Sequence, residues 1–397
     1  MLSNNTIGLV KSTIPLLESA GVEITDHFYT RMFKHNPELK DVFNMRNHEN
    51  GRQPFALFSA VAAYAKHIDD LDALGEAVER IAQKHVSFDV QPEQYAIVGH
   101  HLIATLHELA PDAFTPEIAE AWTEAYGVLA DILIGREKTI YNESENQDGG
   151  WIGPRPFRVK DKIKESELVT SFIFEPQDAD GVRPYQPGQF IAVRLKPEQA
   201  ENIEIRQYSL SDKYNPASYR ISVKRETIPV LGAVSNYLHD NIEVGDTVDL
   251  MPPAGSFVLK QNTKPTVLIS AGVGITPMMS MLETLADKHD KNSSILFLHA
   301  CHNRAQHSFK HRLDELMADN NQLQSHFWYS DETPINENTH QGLMDLHVIK
   351  DDLPIDDGEF YLCGPLDFMR FVKIQLVDLG VAAEQIHFET FGPHDDI

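Results

Sequence analysis

The chain has 397 residues, too many for one ordinary core, and its length points to two to four domains. Its formal net charge is −25, with 59 acidic against 34 basic residues, which excludes nucleic acid and anionic membrane surfaces as general partners. The apolar share of 42% and charged share of 23% are ordinary for a soluble globular protein.

The start, Met1 to Val10, lacks a basic stretch and a long apolar run, so no signal peptide is expected. The most apolar window, Val267 to Met281, is broken by Gly272, Gly274 and Pro277 and is too short to span a bilayer. Cys301 and Cys363 are the two cysteines, far apart in the chain, and read as reduced thiols rather than a disulfide. A cytoplasmic protein without integral membrane contact is the expectation.

The first third reads as helix. Leu74, Val78, Ile81 and His85 fall on one helical face; Tyr95, Val98, Leu102, Leu106 and Leu109 form a second stripe after Pro92. Trp122, Tyr126, Leu129, Leu133, Glu137 and Ile140 form a third. Pro15, Pro37, Pro54, Pro92 and Pro116 are placed like helix starts or breaks. The polar run Asn142 to Gly150 has no periodicity and ends in glycines, as an interdomain linker does.

Beyond it lie short strand-like segments, Phe190 to Leu195 and Tyr219 to Lys224 among them, separated by turn residues as in a small antiparallel barrel. From about Thr263 strands and helices alternate: Thr266–Ser270, Thr276–Lys288, Ile295–His299 and a helix near Phe309–Ala318. That order implies parallel βαβ units. The expected division is a helical domain over 1–141, a linker over 142–153, a β-barrel over 154–262 and a parallel-sheet domain over 263–397.

Three motifs carry chemistry in the second half. In Arg206-Gln207-Tyr208-Ser209 a fixed guanidinium can clamp a diphosphate and Tyr208 offers an aromatic face to an isoalloxazine ring. Gly272-Val273-Gly274-Ile275-Thr276-Pro277 follows an apolar strand, where backbone amides and a helix N-terminus favour phosphate. Cys363-Gly364-Pro365 follows the strand Glu359 to Leu362. In this order the motifs resemble the ferredoxin-reductase superfamily, in which a flavin barrel precedes a nicotinamide domain.

A helical domain fused to a flavin reductase suggests an electron acceptor on board, and His85 is its candidate ligand. A histidine on an apolar stripe is often a satisfied core residue, Tyr95 reads equally as a core aromatic, and Glu137 as an ion-paired residue near a helix end. Yet Tyr95 and Glu137 both lie on inward faces, and a carboxylate there needs a partner. An iron-bound imidazole commonly donates its other N–H to a carboxylate or carbonyl. The adjacent His100 and His101 point to different helix faces and read as structural.

Phe28-Tyr29, Phe43-Asn44-Met45, Gln53 to Leu57, Lys84-His85, Pro92 to Tyr95 and Ala125 to Ala130 resemble the globin domain of the flavohaemoglobins. The reductase motifs and the terminal Glu389-Thr390-Phe391-Gly392-Pro393 fit the same family across essentially the whole chain. The resemblance implies an all-α globin domain, then an antiparallel flavin barrel, then an α/β nicotinamide domain. It implies one non-covalent haem b, one FAD, and NADH or NADPH as substrate.

His85 would be the proximal iron ligand, with Tyr95 and Glu137 behind it and Phe43 packed on the porphyrin. Tyr29, Gln53 and Leu57 would line the distal side, and Lys84 would lie near a haem propionate or a domain interface. Phe190, Arg206, Gln207, Tyr208 and Ser209 would contact the flavin, with Ser235, placed as an N-cap after the segment 227–233, as a further diphosphate contact. Many relatives carry tyrosine where this chain has Phe190, a change that keeps apolar contact and removes a hydroxyl. Residues 272 to 277 and Cys363 would face the nicotinamide nucleotide, with Glu389 to Pro393 beside the flavin. His302, Asn303 and Arg304 follow the second strand of that domain and could take the role of reading the ribose 2′ position, where Arg304 would permit a 2′-phosphate contact.

The implied activity is an NAD(P)H-dependent nitric oxide dioxygenase, a monomer acting on O2 and nitric oxide to give nitrate. The flavin would convert a two-electron donor into one-electron steps toward haem. A haem-assisted NAD(P)H reductase of lipid hydroperoxides or diffusible quinones stays open. An oxygen or nitric oxide sensor and a flavin reductase whose helical domain only docks a partner are further alternatives.

Overall fold

The structure is a computed structural model and describes residues 2–18, 22–43, 52–178, 180–198, 200–228, 231–287 and 294–392, with only the backbone of 22 and 52–56. Two compact units are present: 1–146 with 151–153 and 194–205, and 147–150 with 154–193 and 206–397.

The first unit is built from α1 (Asn4–Ser12), α2 (Ile14–Glu18), α3 (Val22–His35), α4 (Arg52–Lys66), α5 (Gly75–Ser87), α6 (Pro92–Leu109) and α7 (Pro116–Glu145). Local chemistry sets the starts. The Ser3 hydroxyl accepts from Thr6 N at 3.0 Å and Thr115 accepts from Ile118 N at 3.4 Å. Pro92 and Pro116 occupy the first helical turn, where the missing N–H costs nothing. Leu74 proves to end a 3-10 turn (Leu71–Leu74), so α5 carries only the rest of its expected stripe. Helix α7 continues to Glu145, so 142–145 of the expected linker are helical; Asn142, Glu143 and Glu145 are exposed, while Ser144 is buried and donates to Trp151 O at 3.0 Å.

Phe28, Tyr29, Met32, Phe58, Tyr64, Leu102, Leu106, Phe114 and Trp122 form the core of this unit. Two of its largest buried side chains are hydrogen-bonded: Trp122 Nε1 donates to Thr13 Oγ1 at 3.0 Å and Tyr64 OH donates to Ala125 O at 2.7 Å. Gly99 has a packing reason, since a Cβ there would lie 2.4 Å from Tyr126 Cε1. His101 is structural as expected, with Nε2 at 3.0 Å from Asn36 Oδ1 and Nδ1 at 2.5 Å from Arg31 Nη1.

The second unit holds two sheets. Strands β1 (Arg155–Lys164), β2 (Val169–Pro176), β3 (Phe190–Leu195), β4 (Glu204–Ser209), β5 (Tyr219–Lys224) and β6 (Thr247–Leu250) run in the order β4-β3-β6-β1-β2-β5. An antiparallel bridge between Leu210 and Ile221 joins the end of β4 to β5, closing the sheet toward a barrel. Helix α8 (Ala233–Asn241) lies between β5 and β6 in the chain.

The other sheet comprises β7 (Thr266–Ala271), β8 (Ile295–Cys301), β9 (Leu323–Tyr329), β10 (Thr339–Gln341), β11 (Glu359–Cys363) and β12 (Ile386–Glu389). All its pairings are parallel, in the order β10-β9-β8-β7-β11-β12. Side chains alternate between its faces. Leu268, Phe297 and Tyr361 pack with α9 (Ile275–Asp287) and α10 (Lys310–Asp319), while Val267, Leu298 and Leu362 pack with α11 (Leu366–Asp378). Helix α10 starts one residue later than expected because Phe309 adopts a left-handed conformation, φ 61°, at its cap.

Glu359, at the start of β11, is 4% exposed and is gripped by Lys260 (3.1 Å), Lys264 (3.1 Å) and His387 (2.7 Å). Burial alone would raise its pKa, but hydrogen bonds from His387, Lys264 and Lys260 outweigh it and bring it to about 2. A carboxyl depressed in the fold stabilises above its unfolded pKa, roughly 4.3, and that contribution fades as pH falls toward the folded value. Glu359→Gln is therefore expected to cost about 2 kcal/mol at neutral pH. Urea unfolding of both proteins checks this: the gap should shrink by pH ~3, and an equal gap at both pH values would contradict it.

Candidate functional site

The first unit brings His85, Tyr95 and Glu137 together from three helices. His85 lies in the last turn of α5, Tyr95 in the first turn of α6, and Glu137 far along α7. His85 Nδ1 is 2.8 Å from Tyr95 OH and 2.8 Å from Glu137 Oε1, and Tyr95 OH also donates to Glu137 Oε1. Glu137 is 2% exposed and Tyr95 7%, whereas the His85 side chain is 32% exposed. Burial, followed by the Glu137 charge, pushes the Tyr95 phenol far above its usual range, so it stays a donor. Tyr126 OH donates to Tyr95 O at 3.0 Å and steadies the backbone there.

This arrangement fits a metal ligand. With Nδ1–H given to a buried carboxylate, the lone pair of His85 is left on Nε2, the nitrogen turned away from Tyr95 and Glu137. A plain core histidine would have no need of two buried partners on one nitrogen.

Tyr29, in α3, is 2% exposed and packs edge-on against Phe43, with ring centroids 5.9 Å apart, and against Phe33 at 5.8 Å. Burial raises its pKa well above the ordinary phenol value, so it too remains protonated. Leu57, on α4, packs partly buried against the same core, as does Phe43. Gln53 begins α4, but its side chain lies outside the described residues, as do Asn44 and Met45 altogether. Lys84 is half-buried on α5, where its carbonyl accepts from Ser87 Oγ at 2.7 Å.

In the barrel, strand alternation places Arg206 and Tyr208 on one face of β4, with Gln207 and Ser209 on the other; Ser209 is buried. Burial raises the Tyr208 pKa, and the Arg206 charge opposes the rise. Phe190 opens β3, its ring against the backbone of Gly255, where an added Cβ would lie 3.0 Å from the ring.

Ser235 is not an N-cap. The cap is Gly232, because Ala233 and Val234 are already helical; Ser235 sits inside the first turn and its Oγ accepts from Glu226 N at 3.3 Å. A Cβ at residue 232 would lie 2.3 Å from that oxygen, so a side chain there would have to turn the Ser235 hydroxyl away. Among the described residues no side chain caps α8, and its leading amides are suited to an anion. Residues 229 and 230 of the preceding segment lie outside the described residues.

The parallel sheet reverses its winding between β7 and β11, the point where ligands of open α/β sheets bind. Both remaining motifs meet there. Gly272 has φ +53°, and Gly274 approaches the end of β11 so closely that a Cβ would be 2.3 Å from Cys363 O. Gly272–Gly274 form a 3-10 turn, and Ile275, Thr276 and Pro277 open α9. Cys363 is fully buried beside Glu389, its register partner on β12; burial first, then the Glu389 charge, push its thiol far up, so it is a neutral group and no nucleophile. Thr390, Phe391 and Gly392 follow β12, Phe391 with 47% exposure, and Pro393 lies outside the described residues.

One contact is not foreshadowed by any motif. Arg304 is paired with Glu332, which comes just after the neighbouring strand β9. Its signal in the sequence is an acidic pair, Asp331-Glu332, close behind an apolar strand in a parallel array.

A helical unit with a carboxylate-held histidine, joined to a barrel and a doubly wound sheet with a phosphate-type turn, defines a haem-and-flavin oxidoreductase. Comparison with known proteins agrees segment by segment. Residues 26–133 match the globin family, 156–259 the oxidoreductase FAD-binding domain and 268–373 the oxidoreductase NAD-binding domain. A flavohemoprotein of Vibrio cholerae serotype O1 is 52% identical over 396 residues, 99% of each chain. The crystal structure of a flavohemoglobin from Malassezia yamatoensis with bound FAD and heme aligns with TM-score 0.88 at 28% identity, covering 98% of this chain and 100% of that one. The FAD/NAD-binding domain of a nitric oxide dioxygenase from Vibrio cholerae O1 biovar El Tor aligns at 46% identity and TM-score 0.57, over 60% of this chain and 99% of that one. The chain belongs to the flavohaemoprotein family. Among the described residues no helix is long and apolar enough to cross a membrane.

Proposed function

We propose that the chain is an NAD(P)H-dependent nitric oxide dioxygenase that forms nitrate from nitric oxide and O2. The observation that carries this reading is the His85, Tyr95 and Glu137 set, present on a chain that also bears the flavin and nicotinamide modules. When bound, FAD divides a two-electron donor into single-electron steps and haem iron supplies the centre where O2 is activated.

The residues supply the rest. Glu137 holds the Nδ1 proton of His85, making the imidazole a more basic, fixed iron ligand. Tyr29 donates its phenolic proton toward a negatively polarised ligand on the opposite side, with Gln53 as a second polar group and Leu57 and Phe43 excluding water. Lys84 neutralises a carboxylate of the porphyrin. Arg206 binds the diphosphate of FAD, Tyr208 and Phe190 pack on its ring, and Gln207, Ser209 and the start of α8 fix its position. The turn 272 to 277 binds the nicotinamide nucleotide, with Cys363 bounding its reactive end and Glu389 to Pro393 closing the flavin side.

The test is nitric oxide consumption by the full-length protein with NADH and O2. Nitrate equimolar with the nitric oxide consumed is expected, with half that amount of NADH oxidised. Nitrite or nitrous oxide as the main product would overturn the assignment.

A further inference from the structure

The carboxyl end of β8 lies beside that of β7, the strand that opens into the Gly272–Gly274 turn, and β9 lies next out, on the side where the adenosine ribose of a dinucleotide is read. Arg304 stands just after β8 and is engaged at three points by the segment leaving β9. Its Nη1 pairs with Glu332 Oε2, Nη2 donates to Thr333 O at 3.1 Å, and its backbone N donates to Glu332 Oε1 at 3.3 Å. The guanidinium also lies over Tyr329, 5.0 Å from the ring centroid. His302 is drawn to the same side, with Nδ1 3.1 Å from Ser330 Oγ and 3.9 Å from Asp331 Oδ2.

We propose that Glu332, by holding Arg304 and presenting its own charge at this strand end, makes the protein selective for NADH over NADPH. The inference rests on the nicotinamide reading of this module and deepens it. An arginine at the ribose 2′ position suits a phosphate, whereas a carboxylate there suits the two hydroxyls of an unphosphorylated ribose. Both residue types are present in this chain, and they are spent on one another.

A 2′-phosphate carries close to two negative charges at neutral pH. It must either displace Glu332 from Arg304 or settle beside the carboxylates of Asp331 and Glu332. A ribose hydroxyl meets neither obstacle, because it can donate to those same oxygens. Selectivity therefore comes from repulsion of the wrong nucleotide as much as from attraction of the right one.

The experiment uses the full-length holoenzyme with ferricyanide as electron acceptor, so that the outcome does not depend on nitric oxide chemistry. The ratio of kcat/KM for NADH to that for NADPH is expected to be tenfold or more, about 1.4 kcal/mol. Glu332→Gln should lower this ratio roughly tenfold, and adding Arg304→Ala to it should abolish that gain. Calorimetric titration with 5′-AMP and 2′,5′-adenosine diphosphate gives a readout independent of turnover: Glu332→Gln should tighten only the second. Wild-type protein that uses both nucleotides equally would overturn the proposal, as would Arg304→Ala alone selectively weakening NADPH. Failure of either nucleotide to reduce the flavin, with no binding of 5′-AMP, would instead sink the nicotinamide reading on which it rests.

Discussion

His85→Ala protein is expected to purify with flavin but without a haem absorption band, and to lose nitrate formation by at least about 100-fold. NADH-dependent ferricyanide reduction should persist, because no residue proposed for the flavin or nicotinamide site is altered. The expectation comes from the way the imidazole is held. One nitrogen is committed to Tyr95 and Glu137 at 2.8 Å each, both partners are buried, and the ring itself is one-third exposed. A graded series separates ligand from support. Glu137→Gln keeps the ligand but not the buried charge behind it, and should weaken haem retention roughly 10- to 100-fold. Haem content of the purified variants, measured by absorbance, checks both. Full haem content in His85→Ala would show that another side chain holds the iron.

Arg206→Ala is expected to raise the dissociation constant for FAD about 10- to 100-fold, the effect of losing charge-assisted hydrogen bonds worth about 1.5–3 kcal/mol. Arg206 shares a strand face with Tyr208, and its charge is felt at that half-buried phenol. Arg206→Lys should recover only part of the affinity, because an ammonium cannot reproduce the planar fork. Fluorescence titration of flavin-stripped protein with FAD measures both variants. Unchanged affinity in Arg206→Ala would place the diphosphate elsewhere, with the leading amides of α8 the first alternative.

The residues that were legible in the sequence are those whose neighbours in space are also neighbours in pattern. Helical spacing alone put His85, Tyr95 and Glu137 on inward faces, and an inward carboxylate needs a partner, so their meeting was foreseeable. The Gly272 and Gly274 turn was legible as a turn between an apolar strand and a helix, while its use followed from the order of the three motifs and not from the loop alone. What sequence did not disclose depended on contacts between distant segments or on fine backbone choices. Gly232 displaced Ser235 as the helix cap because Ala233 and Val234 were free to join the helix, and nothing in their chemistry marks the boundary. The end of α7 looked like a linker because an exposed helix terminus and a linker are both polar. Arg304 and Glu332 are 28 positions apart and meet only because β8 and β9 run parallel and side by side. The pairing changes the meaning of Arg304: an arginine near a ribose invites a phosphate, but one already held by a carboxylate does not.

An anaerobic absorption spectrum of the full-length protein, recorded before and after addition of NADH and then of carbon monoxide, shows whether electrons pass from nucleotide through flavin to haem. Such a path requires that flavin absorbance bleaches and that the band of a ferrous haem–carbon monoxide complex then appears. Flavin that bleaches with no such band would contradict it, leaving a reductase whose helical unit accepts no electrons.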